Sequence, residues 1–95
     1  MQPAVYILAN HRYGTLYVCV TSSLPYRTWQ HRSGAVEGFS KRFGLKMLVW
    51  YELHQAITSA IQREKQIKAW RRDWKIKLIE RANPTWQDLY ENFNH

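Results

Sequence analysis

The chain has 95 residues, 45% of them apolar, which fits one domain with a compact core and argues against disorder from end to end. Its longest apolar runs, residues 4–9 and 47–51, fall far short of the roughly 20 residues of a membrane-spanning helix, and no secretory leader is expected. Cys19 is the only cysteine, which excludes an internal disulfide and a cysteine-built zinc site, and His11, His31, His54 and His95 lack metal-ligand spacing. A small cytoplasmic domain is expected.

Fourteen Lys and Arg against seven Asp and Glu give a net charge of +7, unevenly spread. Residues 55–83 carry eight basic and three acidic side chains, whereas 84–95 carry two acids and no Lys or Arg. A basic stripe on one segment is the footprint of a polyanion binder, for which nucleic acid is the commonest target.

Residues 4–9 (AVYILA) and 15–21 (TLYVCVT) are rich in β-branched and aromatic residues around a polar NHRYG stretch, the pattern of a β-hairpin. A four-residue loop over 10–13 pairs Ala9 with Gly14, Ile7 with Leu16 and Val5 with Val18. Alternation then puts Val5, Ile7, Leu16, Val18 and Val20 on one face. The other face carries Tyr6 directly opposite Tyr17, with Thr15, Cys19 and Thr21 around them. Next, SSLPYRTWQHRSG predicts a helix over 24–32, with Ser23 as N-cap, Pro25 in the first turn and Gly34 past the end. Arg27 and His31, four residues apart, share a face of it. Residues 33–44 hold three of the four glycines and read as a loop. The nearly continuous apolar run 45–53 predicts a third strand, central in its sheet and covered on both sides.

The remainder is helical. Ile57, Ala60, Ile61 and Ile67 form an apolar stripe, and Glu64 falls on it. A carboxylate on an inward face is costly unless it is paired or holds a metal, which marks Glu64 for attention. A break is expected within 70–74, with Asp73 in the first turn of a helix reaching Ala82, whose stripe is Trp74, Leu78 and Ala82. Asn83-Pro84 stops it, and Thr85 caps a last short helix over 86–92. The five tryptophans (Trp29, Trp50, Trp70, Trp74 and Trp86) read as core or partly buried packing. The elements describe a single α+β domain over 1–95.

Two tyrosines on one sheet face, an Arg/His pair on a capped helix and an inward glutamate on a basic helix form a constellation. In it the chain resembles the GIY-YIG nuclease superfamily, and its small stand-alone members in particular. Val5-Tyr6-Ile7 stands at the first motif and Tyr17-Val18-Cys19 at the second, with ten residues between the tyrosines. Arg27 and His31 match the helix motif, Glu64 in REKQIKAWRR the metal-ligand position, and Asn83 in ANP the last motif. The resemblance covers residues 4–90. It implies a three-stranded antiparallel sheet flanked by helices, and hydrolysis of DNA phosphodiester bonds assisted by one divalent cation, magnesium or manganese.

On that resemblance Glu64 holds the cation, Arg27 a phosphate oxygen, and one of Tyr6 and Tyr17 accepts the proton of the attacking water. The other positions the water or the phosphate, and which is which is left open. His31 belongs to the same catalytic group, and Asn83 orients the site through hydrogen bonds. Lys41, Arg42, Lys65, Lys68, Arg71 and Arg72 are candidates for phosphate contacts. The chain departs from the family pattern at Val5 and, more consequentially, at Cys19, where the second motif has glycine. With no appended recognition module, the expected substrate is branched, flapped or distorted DNA met in repair or recombination, read through its backbone and shape. The alternative is a non-catalytic nucleic-acid-binding module on the same fold.

Overall fold

A computed structural model describes residues 2–33 and 44–93, apart from the side chains of 31–33 and 92–93. The elements run β1 (Ala4–Ala9), β2 (Leu16–Thr21), α1 (Leu24–Ser33), β3 (Met47–Leu53), α2 (Ile57–Ala69), α3 (Arg72–Ala82) and a 310 helix (Leu89–Phe93). The three strands form one antiparallel sheet in the order β2-β1-β3. The domain is therefore α+β, a small sheet flanked by helices. No helix among the described residues is long and apolar enough to cross a membrane.

The central strand is β1, not the third strand expected from its apolar run. All six residues of β1 are buried, because it has a neighbour on each side and packing on both faces. The apolar run of β3 has another cause. Its register with β1 shifts between Ile7 and Leu8, which pair with Trp50 and Leu48 and leave Val49 as an extra residue. This bulge sends Val49 and Trp50 into the same core, while Leu48 and Tyr51 join the opposite one.

Alternation along β1 builds two cores. Val5, Ile7 and Ala9 pack with Val18, Val49, Trp50, Ala60, Ile67, Ile79 and Trp86 under α2 and α3. Ala4, Tyr6 and Leu8 pack with Leu24, Leu45 and Leu48 on the α1 side. In α2, Ala60 and Ile67 are buried, whereas Ile57 and Ile61 of the expected stripe are largely exposed. In α3 the buried residue is Ile79; Trp74 and Ala82 face outward. The helix is rotated about one position from the expected stripe, with Ile76 and Leu78 only flanking the core. Trp50 and Trp86 are core residues and Trp70 is half-buried, but Trp29 and Trp74 are exposed.

The hairpin register is shifted by two residues from the expected one: Val5 pairs with Val20, Ile7 with Val18 and Ala9 with Leu16. Tyr6 therefore lies opposite Cys19, and Tyr17 opposite Leu8. The loop is longer because Asn10 folds inward, its Oδ1 accepting from the Thr15 N–H at 2.9 Å. A Cβ at position 14 would sit 2.0 Å from that oxygen, so Gly14 is needed there. Tyr13 has φ +61°, and its hydroxyl donates to Glu80 of α3 at 2.7 Å. The Trp86 indole N–H donates to the same carboxylate at 2.8 Å, and the two donors hold the Glu80 carboxyl below its ordinary 4.5. That lowered value contributes stability above the ordinary carboxylate range, lost as pH falls through it.

The last predicted helix is instead the 310 segment, which lies against β3. Asp88 just before it accepts from the Leu48 N–H of that edge strand at 3.1 Å. Ile67 is fully buried between α2 and the sheet. Ile67→Ala should cost about 2–5 kcal/mol of unfolding free energy, measured by chemical denaturation, with the denaturant slope unchanged.

Candidate active site

The candidate side chains come from four elements that meet beside the β1–β2 pair. Tyr6 projects from β1 towards α1 and is 1% exposed. The sheet face expected to carry Tyr6 opposite Tyr17 is thus covered at Tyr6 by Leu24, Leu45 and Leu48. Cys19, directly across the ladder, has its thiol in hydrogen-bonding contact with the hydroxyls of both Tyr6 and Tyr17. Tyr17 is two residues along β2 on the same face and only half-buried. Both phenols lie within electrostatic reach of Arg27 on α1.

Arg27 is placed by the way α1 begins. The Ser23 carbonyl accepts the Arg27 N–H at 3.0 Å, and the Thr21 hydroxyl bonds the Ser23 backbone at the end of β2. The cap at this helix start is therefore built by backbone and by Thr21. Thr28, buried on the next position, donates to the Leu24 carbonyl at 2.8 Å and keeps that side of α1 against the sheet. His31 lies one turn beyond Arg27 on α1, and its side chain falls outside the described residues.

Glu64 comes from the middle of α2. Its side chain is only 14% exposed, and its charge acts on Cys19. Lys68, one turn on, places Nζ 2.8 Å from the Glu64 carboxylate and is itself close enough to act on Tyr17 and Cys19. Tyr6, Tyr17, Arg27 and Glu64 are therefore brought together, with Cys19 and Lys68 among them. Sequence spacing alone made Lys68 an outer phosphate contact. The signal of its placement was present as an i,i+4 Glu–Lys pair.

The electrostatics of this group oppose ionisation of the phenols. Burial, then the adjacent Cys19, push Tyr6 far above its ordinary value, against a smaller lowering by Arg27. Cys19 is the main cause of the rise at Tyr17, followed by burial, while Lys68 and Arg27 pull it down. Burial also pushes the Cys19 thiol up to about 11, with the two phenols and Lys68 drawing it back. The Lys68 ammonium is held above its ordinary value chiefly by its bond to Glu64.

The other sequence candidates are dispersed. Asn83 is 4% exposed and donates through Nδ2 to the Val49 and Gln87 carbonyls at 3.0 and 2.8 Å, while its Oδ1 accepts from the Gln87 N–H at 3.0 Å. It clamps the C-terminal segment onto β3, and the described bonds tie it to backbone alone. Arg72 is not free for a phosphate: its guanidinium donates to the Tyr13 and Gly14 carbonyls at 2.6 and 2.7 Å and staples α3 to the hairpin loop. Arg71 pairs loosely with Asp73 at 3.6 Å, and Lys65 is exposed. Lys41 and Arg42, with residues 34–43, lie outside the described residues.

A family model for the GIY-YIG catalytic domain matches residues 2–77, four-fifths of the chain. The chain belongs to the GIY-YIG family. The match takes in Tyr6, Tyr17, Arg27, His31 and Glu64 and ends before Asn83. The fold is similar to the solution NMR structure of the UPF0213 protein BH0048 from Bacillus halodurans, at 24% identity and a TM-score of 0.58, over 93% of each chain. No curated protein matches the chain. GIY-YIG domains are nuclease catalytic domains.

In this GIY-YIG chain the sulfur of Cys19 sits between the phenols of both motif tyrosines. Against an ordinary thiol value of 9.0, a value of about 11 leaves about a hundredfold less thiolate at neutral pH. Alkylation of Cys19 by iodoacetamide, followed by mass spectrometry, should be slower than that of a free thiol by a similar factor and rise about tenfold per pH unit.

Proposed function

We propose that the chain is a metal-dependent DNA endonuclease that hydrolyses phosphodiester bonds, working in the cytoplasm on branched, flapped or distorted DNA in repair or recombination. The observation that carries this reading is the shielded Glu64 carboxylate on a basic helix, close enough for its charge to act on Cys19, whose thiol bonds both motif phenols. A pure binder of polyanions gains nothing from an inward acid at its contact surface, where it repels phosphate.

The donor set fits one hard cation held through a single protein carboxylate. Among the described residues no group of three or more His, Cys, Asp and Glu could form an all-protein cage. Magnesium is bound in that manner, by one or two carboxylates with water and substrate phosphate oxygens completing its shell. Glu64 would hold it, and when bound it polarises the scissile phosphate and stabilises the leaving oxygen.

The chain's own residues supply the rest. Arg27 grips a non-bridging phosphate oxygen, where a planar charged fork favours the more negative transition state. Tyr17 is the proton acceptor in this scheme, because Tyr6 is too deeply covered to touch an attacking water. As the water oxygen bonds to phosphorus, its proton passes to the Tyr17 phenolate and the bond to the leaving strand's oxygen breaks. Tyr6 holds Cys19 and the adjoining backbone in place. His31 acts from the turn beyond Arg27, and Asn83 fixes β3 beneath the site at a distance. Lys65 and Lys68 extend the phosphate track along α2, Arg71 stands at its end, and Lys41 and Arg42 add to it from the preceding segment. Recognition rests on backbone charge and DNA shape.

Two observations support a second reading, a binding module that does not cut: Lys68 already neutralises Glu64, and Cys19 stands where the second motif has glycine. The two separate cleanly. With magnesium or manganese and branched or plasmid DNA, the nuclease cuts, Glu64→Ala abolishes cutting while retaining DNA binding, and Arg27→Ala slows it by about 10²–10³-fold. Binding with no cutting by the unaltered chain establishes the module.

A pH profile tests the proton acceptor. Because Tyr17 ionises above its ordinary 10.0, the phenolate is scarce at neutral pH. The single-turnover rate should climb about tenfold per pH unit between neutrality and pH 9, and Tyr17→Phe should lose that slope together with most of the rate.

A further inference from the structure

We propose that the groove between α2 and α3 is a second nucleic-acid site, one that holds an unpaired nucleotide with its base against Trp74 and its phosphate between Lys77 and Arg81. The proposal rests on the nuclease reading for its biological use but not for its geometry. The groove encloses about 350 Å³ and is lined by Arg63, Trp70, Trp74, Lys77, Leu78 and Arg81. Among the described residues no carboxylate lines it. Trp70 and Trp74 meet edge to face at 5.9 Å, and Arg63 stands 5.4 Å from the centre of the Trp70 ring.

Three features point to a ligand. Trp74 is 48% exposed although it lies on a helix whose Ile79 is wholly buried, so its indole is not used to build the core. Lys77 and Arg81 are exposed and form no ion pair with any described residue, unlike Arg63, which Glu52 holds at 3.2 Å, and Arg72, which is committed to the hairpin loop. Finally, the lining joins flat aromatic surface to unpaired positive charge, the combination that binds stacked bases with their phosphates. A paired duplex presents its bases already stacked, so an indole at this position gains most from an unpaired one.

The placement also suits a substrate with a displaced strand. Arg63 and Glu64 are consecutive on α2 and point about 100° apart around its axis, so the groove lies round the side of that helix from the proposed catalytic carboxylate. A strand leaving a branch point at Glu64 needs only to round α2 to reach Trp74. The groove thus supplies a reason for the preference for flapped or branched DNA, which the phosphate track alone does not.

Binding of a short mixed-sequence single-stranded oligonucleotide to the full chain in EDTA tests this without turnover, by anisotropy and by quenching of tryptophan emission. Trp74→Ala should weaken binding about 5- to 100-fold, and Trp74→Phe should keep it within about threefold. Lys77→Ala with Arg81→Ala should flatten the salt dependence by about two phosphate contacts. Because Trp74 is half-exposed, an unchanged Tm identifies a folded variant. Binding by Trp74→Ala as tight as that of the unaltered chain, or no single-strand binding at all, overturns the proposal. Cutting assays with magnesium on the same preparations separate the two readings. Trp74-dependent binding without cutting removes the nuclease and leaves the groove, whereas cutting with Trp74-independent binding does the reverse.

Discussion

β1 has a strand on each side and apolar packing on both faces, so each of its residues has one permitted direction. Val5, Ile7 and Ala9 must enter the core under α2 and α3, which forces Tyr6 to the other side against α1. A slip of one residue of β2 along β1 would turn its set over, putting Tyr17 towards Val49, Ile67 and Ile79 and Val18 on the side of Tyr6. The site geometry is thus held by a hydrophobic constraint remote from its chemistry. Both cores exact the same parity, and neither core could form in the shifted arrangement.

That parity was legible in the sequence, and the exact pairing was not. The expected register and the observed one differ by two residues, which preserves every face and moves every partner. The cause is local: Asn10 turns inward to bond the Thr15 N–H, a side-chain choice that no periodicity reveals. The consequence is chemical, since Cys19 rather than Tyr17 stands opposite Tyr6. Likewise, the inward position of Glu64 could be read from Ala60 and Ile67, but the outward turn of Trp74 could not. An indole on an apparent stripe reads as core until Ile79 takes the inner position. The apolar run of β3 reads as a central strand because a bulge, invisible to alternation, sends two successive residues into one core.

Within the site, opposing effects are closely set. Burial and the nearby thiol raise both phenols, while Arg27 favours the ionised form of each and Lys68 that of Tyr17. Tyr17 is the less covered of the pair and feels both cations, which makes the two motif tyrosines unequal despite their shared face. The sulfur of Cys19 is the element that glycine would not supply. It bonds both hydroxyls and so fixes the phenols, but it also takes up space beside them and raises both. A backbone glycine would leave that space to substrate or water.

The staples far from the site serve the same end. Arg72 binds two hairpin-loop carbonyls, Glu80 takes the Tyr13 and Trp86 donors, and Asn83 ties the C-terminal segment to β3. All three anchor the tip of β1–β2 or the β3 edge to α3 or its C-cap, which ties α3 to the sheet carrying Tyr6 and Tyr17. α2 is the link between them: its inner residues Ala60 and Ile67 fill the core, Glu64 and Lys68 act on Cys19 and Lys68 on Tyr17, and Arg63 reaches both Glu52 and the Trp70 ring. Consecutive residues of this one helix belong to the carboxylate site and to the aromatic groove, so in the proposed scheme α2, held against the sheet by Ala60 and Ile67, is the element that the two share.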